Sequence, residues 1–109
     1  AGKFPLWLAP VQVAVLPISD KQLDYARRVA EDLRAAGLRA MVDESSDKIG
    51  KKIREAEMAK IPVMFVCGAR EAEATNVAVR RHGKGDVGTN TLTSAIEALR
   101  AEVAQRRLE

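Results

Sequence analysis

Apolar and polar positions along the chain alternate between two periods. Val11 to Leu16 is a short β-branched run closed by Pro17, which predicts a first strand. Leu23, Ala26, Val29, Ala30 and Leu33 then recur at helical spacing and make one apolar stripe. Ser19, with Gln22 three residues on, is a capping box for that helix, and Gly37 is its αL cap. Leu38 to Val42 reads as a second short strand. In the next helix Ile49, Ile53, Ala56 and the stem of Lys60 share a face, while Lys48, Lys51 and Lys52 point elsewhere. Ser45, Ser46 and Asp47 are all able to cap it, and it must end before Pro62. Gly50 in its first turn costs about 1 kcal/mol against Ala; a close backbone approach or simple tolerance would explain it.

Val63 to Cys67 is apolar at every position. A strand without alternation is buried on both faces, which places it at the centre of a sheet. Gly68 stops it, and Ala69 to Thr75 is a loop or a single helical turn carrying Glu71. Asn76 to Arg81 is a strand with Val77 and Val79 on one face, Ala78 and Arg80 on the other. His82 to Asp86 is a hairpin turn and Val87 to Asn90 the return strand. Thr91 caps a last helix whose buried stripe is Leu92, Ile96, Leu99 and Val103. The order β-α-β-α-β, hairpin, α predicts an α/β fold: a mixed, roughly five-stranded sheet covered by three helices. Phe4 to Pro10 carries two prolines and predicts an extended lead-in, with Trp7 packed among apolar neighbours. The expected boundaries are therefore a lead-in over 1–10 and a domain over 11–107.

Composition narrows the class. At 109 residues the chain is one domain able to bury a core without staples. Aromatics are only 4%, so that core is aliphatic. A single cysteine, Cys67, leaves no disulfide framework or zinc cluster within one chain and fits a reducing, cytoplasmic setting. No apolar run is long enough to span a membrane and no charged-then-apolar leader is present. Ala1-Gly2-Lys3 lacks a Met, which reads as an excised piece of a longer chain, and Leu108-Glu109 reads as a cloning scar.

Catalytic constellations are missing. His82 is alone in a hairpin loop, where solvent is its expected environment. Cys67 behaves as a small hydrophobe. Neither a P-loop nor a dinucleotide fingerprint is present, and Gly83-Lys84-Gly85 is too short to cradle a nucleotide. Nucleic-acid binding fits better. Lys48, Lys51, Lys52 and Arg54 cluster within two helical turns, and Arg80, Arg81 and Lys84 follow with no acid until Asp86. Lys51, Lys52, Arg81 and Lys84 suit phosphate, which gives affinity without sequence information. Plain solvated faces would show the same charges. A carboxylate beside such a face weakens nonspecific binding, so Glu71 gains most by reading a base: guanine offers N1–H and N2–H to one carboxylate. Arg80 offers the reverse pattern, donors to carbonyl oxygens. A loop glutamate in water is the plainer alternative. In open sheets of this kind, sites lie at the carboxyl ends of parallel strands, here Pro17 to Ser19, Asp43 to Lys48 and Gly68 to Glu71.

Phe4-Pro5-Leu6-Trp7-Leu8-Ala9-Pro10-Val11-Gln12-Val13, Asp47-Lys48-Ile49-Gly50 with Lys52-Ile53-Arg54-Glu55, Ile61-Pro62, Cys67-Gly68 with Glu71, and Val77-Ala78-Val79-Arg80 closely resemble the C-terminal anticodon-binding domain of threonyl-tRNA synthetases. The resemblance covers nearly the whole chain. It implies a five-stranded mixed sheet with three helices and, as partner, the anticodon loop of threonine tRNA. It implies that Arg54, Glu71 and Arg80 contact anticodon bases, with Lys48 on the same face. ATP, magnesium and zinc are implied only for a catalytic domain absent here, so this chain alone carries no cofactor and no catalytic site. The parent is implied to be a homodimer, and the isolated chain is expected to be monomeric. One departure is notable: the family has Asp-Leu-Arg-Asn-Glu-Lys-Ile-Gly where this chain has Asp43-Glu44-Ser45-Ser46-Asp47-Lys48-Ile49-Gly50. The Asn replaced by Ser46 contacts a base in the family, and Ser46 has shorter reach and one fewer donor. A second departure is Thr75, where the family typically has a glycine. Two other readings stand beside this one. A nonsynthetase nucleic-acid accessory module would share the fold. A flavodoxin-like small-molecule domain would need a phosphate loop after the first strand, where Pro17 withdraws a donor.

Overall fold

β1 (Val13–Pro17), β2 (Ala40–Val42), β3 (Val63–Cys67), β4 (Asn76–Arg81) and β5 (Gly85–Thr91) form one sheet in the order β2-β1-β3-β4-β5. The structure is a computed structural model and describes residues 5–106; Phe4 of the lead-in and the Leu108-Glu109 pair lie outside the described residues. β1 is parallel to β2 and β3, whereas β4 and β5 are antiparallel additions. The helices are α1 (Leu23–Ala35), α2 (Ile49–Met58), α3 (Ala69–Ala74) and α4 (Leu92–Ala104). The mixed sheet is as expected, with β3 central and buried at all five positions.

There are four helices among the described residues, not three. Ala69–Ala74 winds into a short helix closed by Thr75 in the left-handed region, φ 57°. Strand bounds also move. β1 starts at Val13 and includes Pro17, which pairs with Cys67 at its last position. A proline is tolerated at such a terminus, where it need not donate along the ladder. β2 is only three residues long, while β5 runs well past the expected return strand.

Caps follow the sequence unevenly. Ser19 and Gln22 do form their box, with Ser19 N–H donating to Gln22 Oε1 at 3.1 Å, but it opens a 3₁₀ turn (Asp20–Gln22) that runs into α1. Gly37, φ 87°, closes α1 as predicted, and Leu38 N–H returns to Leu33 O at 3.0 Å. Thr91 caps α4, accepting from Ser94 N–H at 3.1 Å. None of Ser45, Ser46 and Asp47 caps α2, whose N-cap is Lys48 with no side-chain bond. Their chemistry goes into the loop instead: Asp43 Oδ1 accepts from Ser45 N–H at 3.0 Å and Ser45 Oγ from Asp47 N–H at 3.3 Å.

The lead-in is not fully extended. Leu6–Leu8 makes one 3₁₀ turn that buries Leu6 completely. Gln12 Nε2 donates to Leu6 O at 2.9 Å, and the Arg39 guanidinium donates to Ala9 O at 2.7 and 3.1 Å. Trp7 is half-buried, with the Arg106 guanidinium 5.4 Å from its ring centre.

The two faces of the sheet are covered unequally. α1 and α4 pack on one, burying Val13, Val15, Phe65, Val77 and Val79 against Val29, Leu33, Ile96 and Leu99. α2 alone packs on the other, over Ala14, Leu16, Met64 and Val66. On that second side β4 is only half-covered and β5 is exposed from Asp86 to Thr91. No helix among the described residues is long and apolar enough to cross a membrane.

Candidate nucleic-acid interface

α2 is fixed at both ends. Near its start, Lys52 Nζ donates to Pro17 O at 2.9 Å, at the carboxyl end of β1. At its far end, Glu57 meets the turn after β4: Gly83 N–H donates to Glu57 Oε1 at 3.3 Å, and His82 Nε2 lies 3.1 Å from Glu57 O. The helix therefore runs opposite to β1 and β3. At 3.6 residues per turn, Ile49, Ile53 and Ala56 face the sheet, and Gly50, Arg54 and Glu57 share the flank toward β4 and β5. Lys51 and Glu55 share the other flank, where Glu55 lines a cavity with Met41 and Asp43.

A trough results between α2 and the last hairpin. Its floor comes from the alternate β4 residues Asn76, Ala78 and Arg80, and its far side from their β5 partners Thr91, Thr89 and Asp86. Gly50 opens onto it, since a Cβ there would meet nothing within 4 Å. No backbone of the described chain comes close enough to require a glycine at that position.

Arg80 is half-buried on the floor. Its Nε is enclosed and has no hydrogen-bond partner among the described residues. An unpartnered buried donor costs about 1–3 kcal/mol. A register shift between Val79 and Arg80 sets this side chain, as bulges do beside sites. Gly85, with φ 79°, lies beside the guanidinium; a Cβ there would make only ordinary contact with Nη2, at 3.7 Å.

Of the loop and the helical turn expected over Ala69 to Thr75, the helical turn forms. Glu71 is in the first turn of α3, where its Oε1 accepts from Gly68 N–H at 2.8 Å. Its Oε2 has no partner among the described residues, so the carboxylate keeps free acceptor capacity. Nearby, the Tyr25 hydroxyl donates to Asn76 O at 2.6 Å, tying α1 to the start of β4. Burial, with lesser contributions from the neighbouring Cys67 and Glu71, pushes the Tyr25 phenol up to about 12. Burial, then Glu71, pushes the Cys67 thiol up to about 12, which keeps it neutral and unsuited to nucleophilic work.

The proposed phosphate set divides. Lys48, Lys51 and Lys84 are exposed, as are Arg54 and Ser46; Lys51 Nζ lies 3.5 Å from Asp47 Oδ2. Two members do not belong on a solvated face. Lys52 is only 2% exposed, because it spends its charge on the Pro17 carbonyl. Arg81 points to the opposite face from Arg80, and both its terminal nitrogens meet the buried Glu102 carboxylate, Nη1 to Oε2 at 3.1 Å and Nη2 to Oε1. His82 is likewise half-buried against Glu57 and not a solvated loop residue. Sequence reasoning passed over Asn76, Thr89 and Gly68. The polar run Thr89-Asn90-Thr91 in a strand was the available signal for Thr89.

Asn76 and Arg80 are four strand residues apart, roughly 13 Å. Glu71 stands just beyond the Asn76 end of β4 and Arg80 near the other. Donors and acceptors so strung out suit an extended polymer with several bases turned outward, and not a single small ligand.

Known proteins bear on this geometry. The family model described as an anticodon binding domain matches residues 12–102. The threonine–tRNA ligase of Chloroherpeton thalassium is 53% identical over 108 residues, covering 99% of this chain and 16% of that protein. That of Prosthecochloris aestuarii is 55% identical over 102 residues, again 16% of its length. This chain thus spans a small part of the curated relatives it matches. Among solved structures, the RNA binding domain of threonyl-tRNA synthetase from Cryptosporidium parvum Iowa II superposes with TM-score 0.88 at 34% identity, covering 93% of this chain and 26% of that one. A prolyl-tRNA synthetase from Cryptosporidium parvum, complexed with halofuginone and AMPPNP, gives 0.80 at 26% identity, with 95% and 23% covered.

Proposed function

The chain belongs to the family of anticodon binding domains, and from that premise we propose that it is the anticodon-reading part of a threonine–tRNA ligase. The parent attaches threonine to its tRNA with ATP in the cytoplasm. That chemistry, with its magnesium and zinc, belongs to sequence outside these residues. The observation that carries the reading is the trough: an acceptor, Glu71, at its head and donors, Arg54 and Arg80, along its length.

Threonine codons begin with A and C, so the anticodon carries guanine at its centre followed by uridine. Guanine presents N1–H and N2–H, which suit the free acceptors of Glu71. Uracil and guanine carbonyls suit the planar fork of Arg80 and the exposed Arg54. Lys48, at the head of α2, sits beside the incoming backbone. Three exposed lysines neutralise few phosphates, so log K should fall with log salt by only a few units.

Base reading and charge are separated by titrating a threonine anticodon stem-loop and a scrambled loop of equal length at one salt concentration. Glu71→Gln and Arg80→Ala should each cost about 1–3 kcal/mol on the matched loop, the range for a good base contact, and far less on the scrambled one. Lys51→Ala should weaken both loops equally. Equal losses on both loops for the first two variants would reduce the trough to a nonspecific basic patch.

A further inference from the structure

Gly68 holds the N-cap position of α3. Ser, Thr, Asp and Asn are favoured there because their side chains accept from first-turn N–H groups. Glycine supplies no such oxygen. Its backbone gives no reason for the choice either, since φ −99° and ψ −175° are open to any residue. Space does give one. A Cβ on Gly68 would lie 2.7 Å from Glu71 Oε1 and 2.8 Å from Ile18 Cδ1.

The same Oε1 accepts the Gly68 N–H at 2.8 Å. The missing side chain is what leaves Glu71 Oε1 the close position it holds over the Gly68 N–H. One oxygen is tied down and the other is unpaired among the described residues. A plain structural cap would do better with Ser or Thr, whose hydroxyl adds the reciprocal bond. This chain keeps the weaker cap and the better-aimed carboxylate. An acceptor fixed before binding loses less rotamer freedom when the base arrives.

We infer that Gly68 is a positioning residue for base discrimination: its bare N-cap orients the Glu71 carboxylate toward the two adjacent donors of a guanine. This rests on the reading of Glu71 as a base contact. Substitution of Gly68 should therefore act on specificity through Glu71, without touching RNA itself.

The test uses this chain, the threonine anticodon stem-loop, and the same loop with inosine for the central guanine, which lacks the N2 donor. The native chain should prefer guanine by about tenfold or more, the worth of one hydrogen bond to a charged group. Gly68→Ala should bring that ratio close to one while affinity for a scrambled loop stays as it was. In a Glu71→Ala background, Gly68→Ala should change the ratio no further, the signature of two residues acting as one unit. Should Gly68→Ala fail to fold, Ile18→Ala with Gly68→Ala removes the second collision; Ile18 is 45% exposed and tolerates truncation. If Gly68→Ala keeps the native ratio while Glu71→Gln abolishes it, the inference falls and the reading of Glu71 stands. If Gly68→Ala lowers the ratio equally in both backgrounds, it acts elsewhere and the inference also falls. If the native chain shows no preference for guanine, both fall together.

Discussion

The two faces of the sheet differ in how completely they are covered, and chemistry collects on the less complete one. Beneath α1 and α4 the inward side chains of the sheet are apolar, and the polar pair at its edge, Arg81 and Glu102, is satisfied. Beneath α2 the cover stops short of β4 and β5, and there Arg80 Nε is left without a partner among the described residues. β4 serves both sides at once, giving Val77, Val79 and Arg81 to the closed face and Ala78 and Arg80 to the open one. A one-residue change of register separates core from site. Stability and recognition are thus divided by face, and substitutions should divide the same way.

The largest effect is expected at the centre of the closed face. Phe65 is fully buried in the core beneath α1 and α4. Phe65→Ala should lower unfolding free energy by about 3–5 kcal/mol in denaturant titration. Where the variant is still folded, its affinity for the anticodon stem-loop should match the native chain's. A matching fall in affinity would mean that the faces are not independent.

Next come two neighbours with opposite duties. Arg81→Ala strands the Glu102 carboxylate, whose side chain is 8% exposed, and should destabilise by about 3 kcal/mol. Binding by the folded fraction should be untouched. Arg80→Met keeps the apolar stem and deletes an orphaned donor, so stability should hold or rise by about 1 kcal/mol. Affinity for the matched loop should drop about tenfold or more. Stability–function opposition of this kind is expected where a site carries unsatisfied groups. Loss of stability in Arg80→Met would place Arg80 among the structural residues.

These neighbours also mark what the sequence made legible. Short apolar runs, alternation in β4 and helical spacing placed the strands and the three long helices, because apolar spacing reports which side faces a core. Glu71 and Arg80 stood out as types in a pattern, and the fold places them near opposite ends of β4. What stayed hidden was the use of cations. Arg80-Arg81 and Lys51-Lys52 look alike as adjacent charges, yet one of each pair turns inward to a partner far along the chain, Glu102 or the Pro17 carbonyl. Nothing local announces such a partner. The α3 helix was left undecided between loop and helical turn for a related reason: Gly68 looks like a stop, and its N–H is capped by Glu71, three residues later.

The lysine pair gives the smallest and most discriminating contrast. Lys51 is exposed and its ion pair with Asp47 is at the surface, where such pairs contribute little. Lys51→Gln should leave stability within about 0.5 kcal/mol, the range for surface changes. If its charge meets phosphate, the slope of log K against log salt should become shallower by about 0.7, the share of one single-strand contact. Lys52→Met should do the reverse. The stem volume is kept, but the bond to Pro17 O is lost, so stability should fall by about 1.5–3 kcal/mol. The salt slope of the folded variant should not move, because a buried ammonium neutralises no phosphate. A slope change for Lys52→Met would show that this lysine reaches RNA in the complex, and that the head of α2 rearranges on binding.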